Sequence, residues 1–563
     1  MKAWVISVVF LGQLFAATQQ ELTPNPSGPF HVDRNRIIDS KGRPFLMRGT
    51  QLTEFHPQTA AADNRGGLDF GPHSATSLSA IRLRFNMNTV RLPLDVKESG
   101  RLGYLAALAK VVQRANSFDL LVILAAREPS VGFWSQCAAY FKAYPNVMFD
   151  VWADADSSAG WYGWRSHMTE LVQAVRSAGA AQPIVAMSRN GFESAGVTPP
   201  LDDPNVIYEL APRYPAGDRQ AQYGSLAAVA PVTAAGWDLE LNDKDVCSTL
   251  PSDPSPVTSV IRANLEDFDA RRMSWTVSLY AAGRLIKDYS LQDATSLEDG
   301  WTCGQVKYPP PGMGRIVEGH LRAVDERGLF VVSAAGGVDV ARNGFAIGYG
   351  PVLAERDSIA PWPRLSLNLG KLALLVTDSK GVARPARMFW ASAGWGQINF
   401  VVPPESALGP ARLAIVREDG SRTNAQITIA DTSPGFWTGV SCRGPAEGEV
   451  IQTFADGRTA RSPLSSCRVY GDCRTELVPV ANGAVTRVRL HGSGFRYAES
   501  AAKIEVTVGG RRVPVVAYGA FGSPGVDVVT IELPASLRGI GETDLMCHLN
   551  GRVSNAVRIR IGS

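Results

Sequence analysis

Eight short apolar runs separated by helical patterns constrain this chain more than any other feature. Between about residues 30 and 305 they read "PFLMRGTQL", "MNTVRLPL", "LLVILAA", "VMFDVWAD", "PIVAMSR", "VIYELAP", "PVTAAGWD" and "MSWTVSLY". The intervening stretches include "GYLAALAKVVQRANSF" and "HMTELVQAVRSAGA", whose apolar residues recur at three- and four-residue spacing, the period of an amphipathic helix. Strands that alternate with helices pair in parallel, and eight such units predict a closed (β/α)8 TIM barrel. The competing topology is an open doubly wound sheet, but no glycine-rich phosphate loop follows the first strand. A hairpin in "RNRIIDSKGRPF" is expected to plug the barrel floor.

At 563 residues the chain is too long for one hydrophobic core, so further domains must follow. The barrel pattern ends near "VKYPPPGMG", where three prolines predict a stiff spacer. Beyond it, alternating apolar residues and frequent glycines predict β-sandwich structure. This half also repeats itself. "GWGQINFVVPPESALGPARLAIVREDGSRTNAQITIA", from Gly394, matches "GVDVVTIELPASLRGIGETDLMCHLNGRVSNAVRIRI", from Gly525, with Pro403 against Pro534, Gly420 against Gly551 and Asn424 against Asn555. Two related modules are the simplest account. The expected organisation is a signal peptide at 1–18, a barrel at 19–306, a first sandwich at 307–432, a Cys-containing connecting segment at 433–480 and a second sandwich at 481–563.

Composition bears mainly on partners and compartment. The net charge of +3, with no long basic run, argues against nucleic acid as a partner. The opening "MKAWVISVVFLGQLFAATQQ" has one Lys, an apolar run and then small residues. That is the pattern of a secretory signal peptide and short for a membrane span, with an uncleaved anchor as the alternative. Later stretches carry no membrane-spanning pattern, so a secreted, periplasmic or cell-surface protein is expected. Export permits disulfides among the seven Cys, and Cys247 and Cys303 are candidates within the barrel. Cys137, inside an apolar helical pattern, reads as an unpaired core residue. The seven His fall at no paired metal-ligand spacing, so neither a metal nor another cofactor is expected.

Barrel chemistry sits where strands end. The carboxyl ends supply Arg91, Arg127 with Glu128, Asp154 with Asp156, Glu209 with Arg213, and Asp238 with Glu240. Glycoside hydrolysis needs two carboxyl groups flanking the scissile bond, about 5 Å apart for retention and roughly 6.5–9.5 Å for inversion. By position the available pair is Asp154 with Asp238 or Glu240. The bland alternative is that these acids cap helices or pair with nearby arginines. Trp161, Tyr162 and Trp164 after strand four, and Trp134 after strand three, offer surfaces on which a sugar ring stacks its C–H face. They serve equally as anchors for a helix start.

Over residues 30–305 the chain resembles glycoside hydrolase family 5, the cellulase-type barrels. "NRIIDSKGRPFLMRGTQL" resembles that family's first strand, "MNTVRLPL" its second, "YPNVMFDVWADA" its fourth and "NVIYELAPRYP" its sixth. The resemblance implies that Arg91 supports the nucleophile. By position, Trp134, Trp161, Tyr162, Trp164, Arg127 and Glu209 are the candidate substrate contacts. The catalytic letters depart from the family. Where its fourth strand ends Asn-Glu-Pro, this chain has Ala153, Asp154 and Ala155. The seventh-strand nucleophile position falls on Gly236, a sixth-strand His on Ala211, and the sugar-site Trp on Ser278. A carboxylate drawn back by about 1 Å costs on the order of a hundredfold. A glycine cannot form a glycosyl-enzyme at all. The C-terminal half, about 315–563, resembles a repeated immunoglobulin-like domain of secreted soil-bacterial proteins.

These readings converge on a secreted family 5-like protein that acts on or binds a β-linked polysaccharide or oligosaccharide and is catalytically degenerate, a pseudoenzyme. One alternative is an atypical O-glycosyl hydrolase of inverting mechanism, using Asp154 as acid and Asp238 as base. Another is an extracellular adhesion or scaffold protein that reaches the cell surface or matrix through its C-terminal modules.

Overall fold

In the computed structural model the described residues are 23–562, apart from 58–62, 66–67, 156–159, 189–190, 193–198, 212–224, 238–254, 278–279, 282–283, 290–291, 296–300, 304–305, 309–312, 325–327, 335–336, 352, 439–443 and 468–472. The expected signal peptide lies outside them. No helix among them is long and apolar enough to cross a membrane.

All eight expected strands are present. They are β1 (Arg48–Gln51), β2 (Thr89–Leu94), β3 (Leu121–Ala126), β4 (Val147–Asp150), β5 (Ile184–Met187), β6 (Val206–Leu210), β7 (Val232–Trp237) and β8 (Ser274–Val277). Each pairs in parallel with the next, and β8 returns to β1 with Trp275 opposite Arg48, closing the barrel. Strands β2 to β6 are buried along their whole length, as parallel strands covered on both faces must be. The helices outside them are amphipathic. In Tyr104–Ser117 the buried positions Tyr104, Leu108, Val111, Val112 and Ala115 form one stripe against the sheet.

The barrel floor is sealed by a hairpin pairing His31–Asp33 with Arg36–Ile38, a few residues ahead of the expected span. Phe30, Ile37 and Phe45 pack beneath inward-facing Met47, Leu121, Ile123, Met148, Val185 and Ile207. The barrel does not end at residue 306. Met313–Arg322 forms a further helix, and its Met313, Ile316 and Val317 belong to the barrel core. Its apolar residues stand three and four apart, a stripe with nowhere to go but back against the sheet.

The C-terminal half comprises two β-sandwiches with separate cores. In the first, a sheet containing Phe345–Tyr349, Gln397–Val401 and Arg387–Ser392 faces one containing Arg422–Ala430, Gly409–Arg417 and Leu372–Thr377. The second repeats this topology. In both, a two-residue strand pairs in parallel with the last strand of the module: Val340–Ala341 with Arg422–Ala430, and Leu477–Val478 with Val557–Ile561. Matched Gly420 and Gly551 both turn with φ near +80°, at 81° and 76°, between corresponding strands. The segment 433–480 is more than a connection. Gly448–Phe454 pairs along its length with Ala484–Ser493, so it is a strand of the second sandwich. Its short disulfide, Cys467–Cys473, spans only six residues.

Candidate active site

Side chains on a strand alternate between its faces, so the residues two positions above the apolar floor point into the barrel. Above Met148 stands Asp150, and above Ile207 stands Glu209. Between them reaches Arg91 from β2. Its guanidinium donates to Asp150, to Glu209 Oε2 at 3.1 Å and to Gln51 Oε1 at 2.8 Å. All three charged groups are buried. One arginine cannot neutralise two carboxylates, and burial disfavours both charges. Burial, assisted by the neighbouring Asp150 and opposed by Arg91, pushes the Glu209 carboxyl up to about 8. Burial also raises Asp150 despite Arg91. Around neutral pH, therefore, burial favours the protonated form of Glu209. Burial alone would depress Arg91, but the two acids hold it firmly charged.

Arg91 and Glu209 thus form an internal brace rather than a substrate contact. Asp150, which sequence reading passed over, is its third member. A signal for it was present: Asp150, Arg91 and Glu209 each sit as a lone charge inside an otherwise apolar strand run. Such charges must find one another.

Asp154 stands elsewhere. β4 ends at Asp150, and the chain continues past β3, with the Ala153 N–H donating to the Ala126 carbonyl at 2.8 Å before turning. Asp154 therefore lies at the barrel mouth, 44% exposed, not at the strand tip. Arg127 reaches it at 3.8 Å and also reaches Glu54 at 3.6 Å. Glu54, His56 and Asp95 at this mouth bring one ligand atom each within 4.8 Å of one another. They come from two loops, so no His spacing in the sequence marks them. On β7, the register against β8 shifts between Ala235 and Trp237, which makes Gly236 a bulge. Asp238, Glu240, Asp156, Arg213 and Ser278 lie outside the described residues, as does Cys247; the side chain of Cys303 is likewise not described.

The aromatic candidates divide. Trp134 is fully buried, donating Nε1–H to the Val151 carbonyl at 2.8 Å and packing edge-on against Phe149. Trp164 is also buried, bonding the Met187 carbonyl at 2.8 Å. Both anchor helices to the barrel. An indole satisfies its single N–H and its large apolar area best inside. Trp161 stacks on Trp164 at 4.8 Å and 8° while staying partly exposed, and Tyr162 is 87% exposed. These two remain available to a ligand. Cys137 is a buried free thiol, as its helical setting predicted.

No protein-family model and no curated protein matches this chain. Among solved structures it is similar to a β-glucanase from Saccharophagus degradans in complex with cellotetraose, at 14% identity and a TM-score of 0.41, over 54% of this chain and 96% of that one. A structure from Cytophaga hutchinsonii gives 15% identity and a TM-score of 0.39, over 53% and 95%. The catalytic domain of a mannanase from Streptomyces sp. SirexAA-E gives 14% and 0.32, over 49% and 84%. The likeness is one of fold.

Proposed function

We propose that this chain is a secreted protein that binds a β-linked polysaccharide on a family 5-like barrel and has lost most or all hydrolytic activity. The observation that carries this reading is the placement of Asp154. It stands in the acid/base position of the resemblance, yet it shares Arg127 with Glu54 at the exposed mouth. A general acid must instead be free to approach the leaving oxygen within hydrogen-bond reach. Gly236 supports the same conclusion, because a bulged glycine brings no nucleophile. Trp161 and Tyr162 supply the stacking surface.

The test is a hydrolysis and binding assay of the mature chain on a panel of β-glucans and β-mannans, beside Asp154→Ala. Expected is binding with no turnover above background, unchanged by the substitution. Robust turnover abolished by Asp154→Ala would replace this reading with an active O-glycosyl hydrolase that draws its second carboxyl from Asp238. Absence of any glycan binding would leave the scaffold reading in its place.

A further inference from the structure

The two sandwiches enclose a cleft of about 620 Å³, within the usual range for ligand sites and at the kind of domain junction where such sites concentrate. One wall is the first module's Val401 to Glu405 with Leu367 and Arg387; the other is the second module's Arg496 and the loop from Gly522 to Pro524. The geometry points to an accessory binding site here for a neutral oligosaccharide, resting on the polysaccharide class proposed above.

The cleft is held open by a docked interface. Arg552 grips Asp339 with two bonds, at 2.7 and 2.9 Å. The Ser493 hydroxyl accepts from the Phe345 N–H and donates to the Gly525 carbonyl, each at 3.0 Å. A Cβ on Gly525 would lie 2.5 Å from the Phe345 ring, so the first module's side chains leave no room for one there. A ligand would meet preformed walls and lose little affinity to ordering them.

Charge accounting selects the occupant. Arg384 in the lining pairs with Asp378, and Arg496 pairs with Asp527. That leaves Arg387 and Glu405, one of each sign. Among the described residues Arg387 has a single partner, the Leu365 carbonyl at 3.3 Å, and Glu405 has no side-chain partner. The cleft therefore offers a forked donor and a carboxylate acceptor with no net charge, beside the apolar surfaces of Leu367, Pro403 and Pro404. Hydroxyls both accept and donate, and sugar rings carry apolar C–H faces, so a neutral glycan satisfies every group. A polyanion would meet Glu405, and a purely apolar ligand would strand Arg387 and Glu405 without bonds. The volume suits a short oligosaccharide better than one ring.

The experiment is calorimetric titration of the full chain with β-gluco- and β-manno-hexasaccharides, and with an oligogalacturonate as the anionic control. The double variant Arg387→Ala/Glu405→Ala alters only exposed side chains; a melting temperature equal to wild type verifies its fold. A barrel-mouth variant, Tyr162→Ala, is run in parallel. Expected are two binding events in wild type, one of them weakened at least tenfold in the cleft variant and the other only in Tyr162→Ala. Identical titrations for wild type and cleft variant overturn the accessory site; loss in Tyr162→Ala alone leaves the barrel reading standing. Tighter binding of the oligogalacturonate also overturns it. No binding of any neutral sugar by wild type overturns both.

Discussion

Glu209 departs furthest from its ordinary chemistry. Its carboxyl, pushed up to about 8 by burial and by Asp150, carries a proton in the folded chain that the unfolded chain releases above its usual value near 4.5. The folded state therefore binds more protons across that window, and linkage makes stability fall as pH rises. The contribution is complete below about pH 4.5 and is lost as pH rises through about 8. Glu209→Gln replaces the protonated acid by a neutral donor of the same shape. Chemical denaturation at a series of pH values should show this variant close to wild type at neutral pH and without the alkaline decline. Arg91→Ala should behave oppositely, costing about 3–5 kcal/mol because it leaves an uncompensated buried carboxylate. Equal alkaline decline in wild type and Glu209→Gln would remove the proton from this account.

Among the elements, the closing seam of the barrel is the informative one. Arg48 and Gly49 lie on β1 where it meets β8. Arg48 donates to Asp269 and to the Met273 carbonyl, both at 2.6 Å, and lies over the Trp275 ring at 5.5 Å. The Arg48-Gly49 pair is thus a clasp between first and last strands. Gly49 has no room for a side chain: a Cβ would fall 2.2 Å from the Thr89 carbonyl oxygen on β2. Gly49→Ala should destabilise the barrel by about 1–3 kcal/mol, read as a shifted denaturation midpoint with unchanged slope.

For the whole molecule, the joint between barrel and first sandwich is polar and buried. Arg84 and Arg315 alternate with Asp293 and Glu318 at 2.6–2.8 Å, all buried. The same arginines donate to the Trp395 and Gly350 carbonyls of the sandwich. Four charges of balanced sign tolerate burial only while all are present. Asp293→Ala leaves Arg84 and Arg315 to share Glu318 as their one buried carboxylate and should cost about 3–5 kcal/mol. We expect calorimetry of wild type to show barrel and first sandwich melting together. In Asp293→Ala the two should separate, and limited proteolysis should then cut between about 322 and 330. A wild-type trace already split between barrel and sandwich would contradict a rigid joint.

The sequence by itself determined the kind and order of the elements. Eight buried runs with helices between them, and a repeat at constant offset, dictate a barrel and two sandwiches, because hydrophobic periodicity is local information. The strand count, the amphipathic helix at Tyr104–Ser117 and the buried Cys137 were all legible on those grounds. Tertiary structure decided which residues meet. Nothing local distinguishes an Asp at a strand tip from one four residues later in a turn, so Asp154 drew attention that belonged to Asp150. Trp134 and Trp164 looked like sugar platforms because an indole is apolar enough for a core and polar enough for a surface. The joints, the inter-module cleft and the proton on Glu209 arise from groups tens to hundreds of positions apart. Their energies come from burial and from the charges burial brings together, and both exist only once the chain has folded.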